Sequence, residues 1–306
     1  MQLWRSLFRS LFCKWKSYRH RFVPWVALNL ARNRRWEPCT LPVWTMRYVQ
    51  DSRCDKLIPD TEVHAALEKL FRAIFLQDLQ SQNELLCMLP EATKSTYRHF
   101  HAPEHQSKTS SESDVPLEAR EILHSTLGFC IARAPSSIDS AGTGVFVSKG
   151  HVQKGAVVSM YPGTVYQQYE PIFFQSIRNP FIFRCIDGIL IDGNDKGISQ
   201  YLYRSCSRRD QLGPLKLCDA TWLSAFPQNP WAVGQYVNNC SNEREANVCY
   251  QEFDVPEYFP IELRQYLPNI NYSPDSQGPL RCVVLVALRD IDCGEELFSN
   301  YFTIVQ

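Results

Sequence analysis

The chain has 306 residues, room for roughly two domains at ~150 residues each. Its 44% hydrophobic and 21% charged residues exclude a disordered or collagen-like chain. Lys plus Arg and Asp plus Glu both number 32, so net charge gives no reason to expect a polyanionic partner.

The balance is uneven along the chain. Residues 1–36 carry nine Lys/Arg and no acid. Within them Leu3, Trp4, Leu7, Phe8, Leu11, Phe12 and Trp15 recur at helical spacing, opposite Arg5, Arg9 and Lys16. A cationic, amphipathic, acid-free leader has the properties of a mitochondrial transit peptide. The same properties suit a first helix packed on the domain, or a basic segment for surface binding or nuclear import. A mitochondrial destination is therefore expected, with nuclear or cytoplasmic residence as alternatives. Charges interrupt every apolar core that a secretory signal would need.

Residues 37–90 read as a helical region. Val63, Leu67, Leu70, Phe71, Ile74, Phe75, Leu79, Leu85 and Leu89 keep a helical period that breaks near Ser81. Asp60, after Pro59, is the predicted N-cap, and Pro90 the stop. Residues 91–127 read as a polar linker followed by a short helix over 115–127. The linker histidines His99, His101 and His105 lack a scaffold that would make them metal ligands.

From 128 to 306 the pattern changes to short β-branched and aromatic runs at 144–147, 156–161, 181–186, 189–192, 248–255 and 281–288, with turn signals between them. The stretches 196–232 and 256–279 read as long irregular loops, of the kind that often carry binding. The longest apolar run, 282–288, has seven residues against the ~20 of a membrane-crossing helix, so it reads as a buried strand and no transmembrane segment is expected. Twelve cysteines occur without any CxC or CxxC, so no zinc cluster and no metal is expected. Cys185 and Cys282 lie in apolar runs and read as small hydrophobes in a reducing compartment.

Three separated pieces stand out. The first is Gly142-Thr143-Gly144-Val145-Phe146, followed by Lys154-Gly155, Tyr161-Pro162-Gly163 and Ile191-Asp192. The second is Asn238-Asn239-Cys240-Ser241, followed by Asn247; the third is Gly294-Glu295-Glu296-Leu297-Phe298-Ser299-Asn300-Tyr301. Taken singly, they are a glycine turn, a capped polar loop and a core or rim tyrosine. In this order they resemble the SET domain of protein lysine methyltransferases, over roughly 128–302.

The resemblance implies a mainly β SET domain over 128–306, made of short strands with a knot-like C-terminal segment, behind an α-helical N-terminal region. It implies S-adenosylmethionine as cofactor, no metal, and a protein substrate presenting a lysine. The backbone of Gly142, Thr143 and Gly144 would lie against the cofactor. Asn238 would bond the cofactor's amino-acid end, and Asn239 would meet its adenine through the backbone. Tyr301 would be the catalytic tyrosine, also touching the cofactor, and Tyr161 a second catalytic tyrosine of the substrate channel. Ser299 would line that channel where the family has a Phe or Tyr that limits how many methyl groups fit.

The chain also departs from the family pattern. Asn239 stands in place of the motif histidine, Gln235 in place of the customary arginine, and the loop from Asn238 to Asn247 is longer. A non-catalytic SET module that binds cofactor or protein is therefore the rival reading. Five residues follow Tyr301, so closure of the channel is expected from the 256–279 loop, the helical half or the substrate peptide. No nucleic-acid motif appears and the catalytic half is acidic, so direct base readout is not expected. Oligomeric state leaves no signature in the sequence.

Overall fold

The structure, a computed structural model, describes residues 46–50, 55–98, 115–139, 141–274 and 278–305. The leader 1–36, the three linker histidines and Ser140 lie outside them. In chain order the described residues form β1 (Met46–Val49), α1 (Asp60–Gln77), a 3-10 turn (Leu79–Gln82), α2 (Asn83–Met88), α3 (Glu91–Arg98) and α4 (Val115–Leu127). Then come β2 (Phe129–Pro135), β3 (Thr143–Gly150), β4 (Val157–Tyr161), β5 (Gly163–Tyr166), α5 (Phe173–Ser176), β6 (Ile182–Arg184), β7 (Leu190–Asp192) and α6 (Gly197–Arg209). After 3-10 turns at Thr221–Leu223 and Gly234–Tyr236 follow β8 (Asn238–Asn239), β9 (Val248–Val255), a 3-10 segment (Ile261–Tyr266), β10 (Asn269–Asn271), β11 (Leu280–Ala287), β12 (Phe298–Ser299) and β13 (Phe302–Val305).

Apolar spacing builds α1. Val63, Leu67, Leu70, Phe71, Ile74 and Phe75 are all buried on one face, each stabilising by roughly 1.5–3 kcal/mol relative to exposure. That face does not close on itself. Phe71 meets Phe259 and Tyr266 at ring-centroid distances of 6.3 and 5.6 Å, and Phe75 meets Tyr97 at 4.8 Å. The helices thus share one core with the strands.

Three local expectations need correction. Asp60 is the first helical residue rather than the N-cap: Pro59 holds the cap position, and the Asp60 carboxylate pairs with Lys56 instead. Residues 91–98, expected to be a loop from their polarity, form α3. Pro90 starts that helix as well as ending α2, because its carbonyl accepts the amides of Thr93 and Lys94. Tyr97 then anchors α3, donating to Glu262 Oε1 at 2.8 Å. Residues 197–209, expected to be irregular, form α6, whose buried residues are only Ser199, Tyr203 and Cys206. With so few apolar residues the helix leaves almost no periodic trace.

β11 is the centre of the strand half. It runs antiparallel to β4 and β9, with Val283 opposite Tyr161 and Leu285 opposite Tyr250. Cys282 to Ala287 are all buried, as the continuous apolar run predicts for a strand covered on both faces. The sheet order is β4-β11-β9-β12-β8; a second sheet runs β10-β5-β7-β6, β2 pairs with β3, and β1 with β13. The decisive detail is β12. It pairs in parallel with β8 on one side and β9 on the other, so the chain near the C-terminus is inserted between two strands that one loop, 240–247, joins. Among the described residues no helix is long and apolar enough to cross a membrane.

Candidate functional site

Insertion of β12 brings the three sequence pieces together. Asn247 acts as a side-chain substitute for a strand: its Nδ2 donates to Glu296 O and its Oδ1 accepts from Phe298 N, both at 2.8 Å. Cys240 N donates to Ser299 O at 2.9 Å. Asn239 Oδ1 accepts the Tyr301 amide at 2.9 Å, and the Tyr301 hydroxyl donates to Val237 O at 2.8 Å. Asn238 Nδ2 reaches the first piece, donating to Thr143 O at 3.2 Å and to Glu296 Oε1 at 3.1 Å.

Glu296 is the residue that holds this junction, and sequence reading quoted it without assigning it a role. Its carboxylate accepts from Ser136 Oγ (2.7 Å), Ser137 N (2.7 Å), Ser137 Oγ (2.6 Å) and Asn238. Burial raises its pKa, but the bonds from Ser137, Ser136 and Asn238 outweigh that and hold it below the usual carboxylate range. A Cβ at Gly144 would overlap the Glu296 carboxylate. Gly144 is therefore a glycine because of Glu296. Gly142 is one because its φ is +79°, where L side chains are strained. The two glycines were legible as a pair, but their separate reasons were not.

Tyr161 and Tyr301 face the same interior. Tyr161 is buried and donates to Phe181 O at 2.7 Å. Its phenol is pushed well above its ordinary range by burial first, then by the neighbouring Tyr301 and Asp192. Burial also raises the Tyr301 phenol. Both hydroxyls stay neutral donors at physiological pH. Tyr250 lines the same core, 6.1 Å from the Tyr161 ring, with its hydroxyl 3.4 Å from Val237 O. Gly193 lets Tyr161 in: a Cβ there would stand 2.7 Å from the Tyr161 ring.

Ser299 is fully buried, and its hydroxyl has no hydrogen-bond partner. Gln235 is buried too, with both amide atoms unpartnered, an arrangement that costs about 1–3 kcal/mol for each unmet group. Next to Asn247 and Glu296 a cleft of about 350 Å³ opens between Phe146, Arg244 and Arg289.

The polar atoms at Asn238 suit a cofactor that carries an ammonium group. The amide nitrogen of Asn238 is spent on Thr143 and Glu296, which turns its oxygen into the acceptor that an ammonium needs. For metals, Cys185, Asp187 and Glu252 bring ligand atoms within 4.8 Å of one another. Arg281 Nη1 already lies 3.0 Å from Asp187 and 2.9 Å from Glu252, so a guanidinium fills the cation position. Burial and the nearby Glu252 also push the Cys185 thiol well up, away from the thiolate that metals bind.

No protein-family model matches the chain. It is 62% identical over 303 residues to SET domain-containing protein 9 of Homo sapiens, covering 98% of both chains. It is 64% identical over 265 residues to SET domain-containing protein 9 of Pongo abelii, covering 85% of this chain and 97% of that one. Among solved structures, a humanized mutant of the Chaetomium thermophilum Polycomb Repressive Complex 2 bound to the inhibitor GSK343 is 18% identical with a TM-score of 0.30, covering 62% of this chain and 19% of that one. The structure of ctPRC2 in an autoinhibited conformation bound to S-adenosylmethionine is 17% identical with a TM-score of 0.30, covering 62% and 18%. The chain spans about a fifth of the length of those two structures.

Proposed function

The chain belongs to the SET domain-containing protein 9 family, and from that premise we propose that it transfers a methyl group from S-adenosylmethionine to a lysine side chain of a protein. The domain that does so spans 128–306. The observation that carries the reading is the convergence of Thr143, Asn238 and Tyr301 through the bonds of Asn238 and Asn239. When bound, the sulfonium cofactor supplies an electrophilic methyl group.

The protein's own part is alignment, desolvation and control of the amine's proton. A free lysine has a pKa of about 10.4, so making it neutral at pH 7 costs about 4.6 kcal/mol. Desolvation beside the buried rings of Tyr161, Tyr250 and Tyr301 lowers that cost by removing the water that solvates the ammonium. The neutral Tyr301 hydroxyl, now donating to Val237 O, orients the amine, and Tyr161 does so from the second side. Gly142, Thr143 and Gly144 present backbone to the cofactor, Asn238 Oδ1 accepts its ammonium, and the Asn239 backbone meets the adenine.

Ser299 widens the channel. Its unpartnered buried hydroxyl suits a bound water, and a water there leaves room for an amine that already carries methyl groups. Ser299→Phe is expected to shift products toward monomethyl-lysine, read by mass spectrometry. Exclusively monomethylated product from the wild type would reject this reading of Ser299.

Asn239 in place of the motif histidine favours one alternative, a SET module that binds cofactor or protein without transfer. Full-length chain incubated with labelled donor and fractionated lysate separates the two. Label recovered in methyl-lysine supports transfer, whereas donor binding without label supports the module. Neither binding nor label rejects both. For delivery, the acid-free leader is proposed to direct the chain to mitochondria. A reporter fused to residues 1–36 that stays in the cytosol or enters the nucleus would reject that.

A further inference from the structure

Glu296 is only 6% exposed, yet every hydrogen-bond donor to its carboxylate is neutral: Ser136 Oγ, Ser137 N, Ser137 Oγ and Asn238 Nδ2. The cations that line the adjoining cleft do not reach it. Arg289 spends both terminal nitrogens on Glu295, at 2.9 and 2.7 Å, and among the described residues neither it nor Arg244 forms an ion pair with Glu296. Burial raises the Glu296 carboxyl, but its hydrogen bonds more than offset that, so it is ionised at neutral pH. A buried charge without a counter-ion is costly. One bond away stands a group that can pass that charge on. Asn238 donates through Nδ2 to Glu296 Oε1 at 3.1 Å and to Thr143 O at 3.2 Å, which leaves its Oδ1 to accept from a ligand.

We infer that Glu296 is the counter-charge for the cofactor's ammonium group, acting through the Asn238 amide as a relay from carboxylate to amide to ammonium. The inference rests on the S-adenosylmethionine reading above and makes Glu296 a positioning residue, since it reaches the ligand only through Asn238. A carboxylate that accepts from Nδ2 polarises the amide and draws negative charge onto Oδ1, where the ammonium binds. It also fixes the amide's direction. With Glu296 Oε1 and Thr143 O both accepting, Nδ2 cannot turn to the ligand without setting oxygen against oxygen. Gly144 belongs to the same device, because a Cβ there would displace the carboxylate. Asp195 is the competing counter-charge: its Oδ2 accepts the hydroxyl of Tyr236 at 2.5 Å, and Tyr236 stands two residues before Asn238.

The test uses the full-length chain and two ligands, S-adenosylmethionine and its analogue lacking the α-amino group, with each Kd measured by calorimetry. Their ratio is the preference for the ammonium. Wild type is expected to prefer the amino form by about tenfold or more, the range of a hydrogen bond to a charged group. Glu296→Gln keeps an acceptor for Asn238 and Ser136 and deletes the charge. It is expected to cut the preference about fivefold, through weaker binding of S-adenosylmethionine, with the desamino analogue bound within about twofold of wild type. Asp195→Asn is expected to leave the preference unchanged. Ser137→Ala, at an exposed position, removes one donor from Oε2, so more charge stays on the Asn238 side and the preference is expected to rise by up to about twofold. Loosened packing alone would lower it, so this variant decides the case if Glu296→Gln does not fold. The inference is overturned by an unchanged preference in Glu296→Gln, by equal weakening of both ligands, by loss of preference in Asp195→Asn, or by an unchanged or lower preference in Ser137→Ala. Wild type that binds neither ligand overturns the cofactor reading and the relay with it, whereas wild type that binds the donor without transferring methyl removes only the transferase reading, and the same preferences still decide the relay.

Discussion

Asn239 replaces the histidine that the resemblance leads one to expect, yet its side chain is not idle, since its Oδ1 holds the Tyr301 amide. A carboxamide oxygen at this position does what a proton-accepting ring nitrogen would do, without titrating near neutral pH. Asp192 carries a sharper consequence. Burial raises its carboxyl to about 6, against bonds from Ser199, Asn179 and the Asn194 amide that pull it down. Because the folded value exceeds the unfolded one, the fold prefers the neutral form. That contribution is full below about pH 4 and is lost as pH rises through 6. Asn179 Nδ2 and Asn194 N both bond Oδ1, at 2.7 and 3.2 Å, while Oδ2 is unpartnered. Asp192→Asn therefore keeps the acceptor and deletes the buried charge. It is expected to match or exceed wild-type stability at pH 7.5, by up to about 3 kcal/mol, with the advantage vanishing toward pH 4. Urea unfolding at both pH values checks this; equal losses at the two would show that charge burial is not the dominant effect.

Elements with a strong local pattern were legible, and elements made by distant pairing were not. α1 and β11 follow from apolar spacing and from a continuous apolar run. β8 and β12 have two residues each and exist because the chain near 298 returns between strands 50 to 60 residues away. No window of sequence contains that information, except through Asn247. Its amide completes β12 from outside the strand. Asn247→Leu leaves the Phe298 N–H and the Glu296 carbonyl without those partners. At about 1–3 kcal/mol per unmet buried group, the variant is expected to lose roughly 2–5 kcal/mol, measured by denaturant midpoints. A loss below about 0.5 kcal/mol, within the usual range for surface substitutions, would mean that β12 is held by other bonds.

At the scale of the whole molecule, the division into a helical half and a strand half describes the sequence better than the structure. Phe71 and Tyr97 from the helices interlock with Phe259, Tyr266 and Glu262 from the strand half. Nothing in local composition marks such contacts, because a helix face reads the same whether it packs on a helix or on a loop. The candidate site was more legible than the packing around it. Gly142, Thr143, Asn238, Asn239 and Tyr301 recur as motif residues, whereas Glu296 acts through geometry that only the fold supplies. The most direct measurement is labelled methyl transfer to lysine by the wild type and by Tyr301→Phe, each with its donor affinity. The phenol's bond to Val237 O contributes only about 0.5–1.5 kcal/mol to stability, so the variant should fold and bind donor as before. Transfer is expected to fall on the order of 10²-fold. Undiminished transfer by Tyr301→Phe would contradict the account.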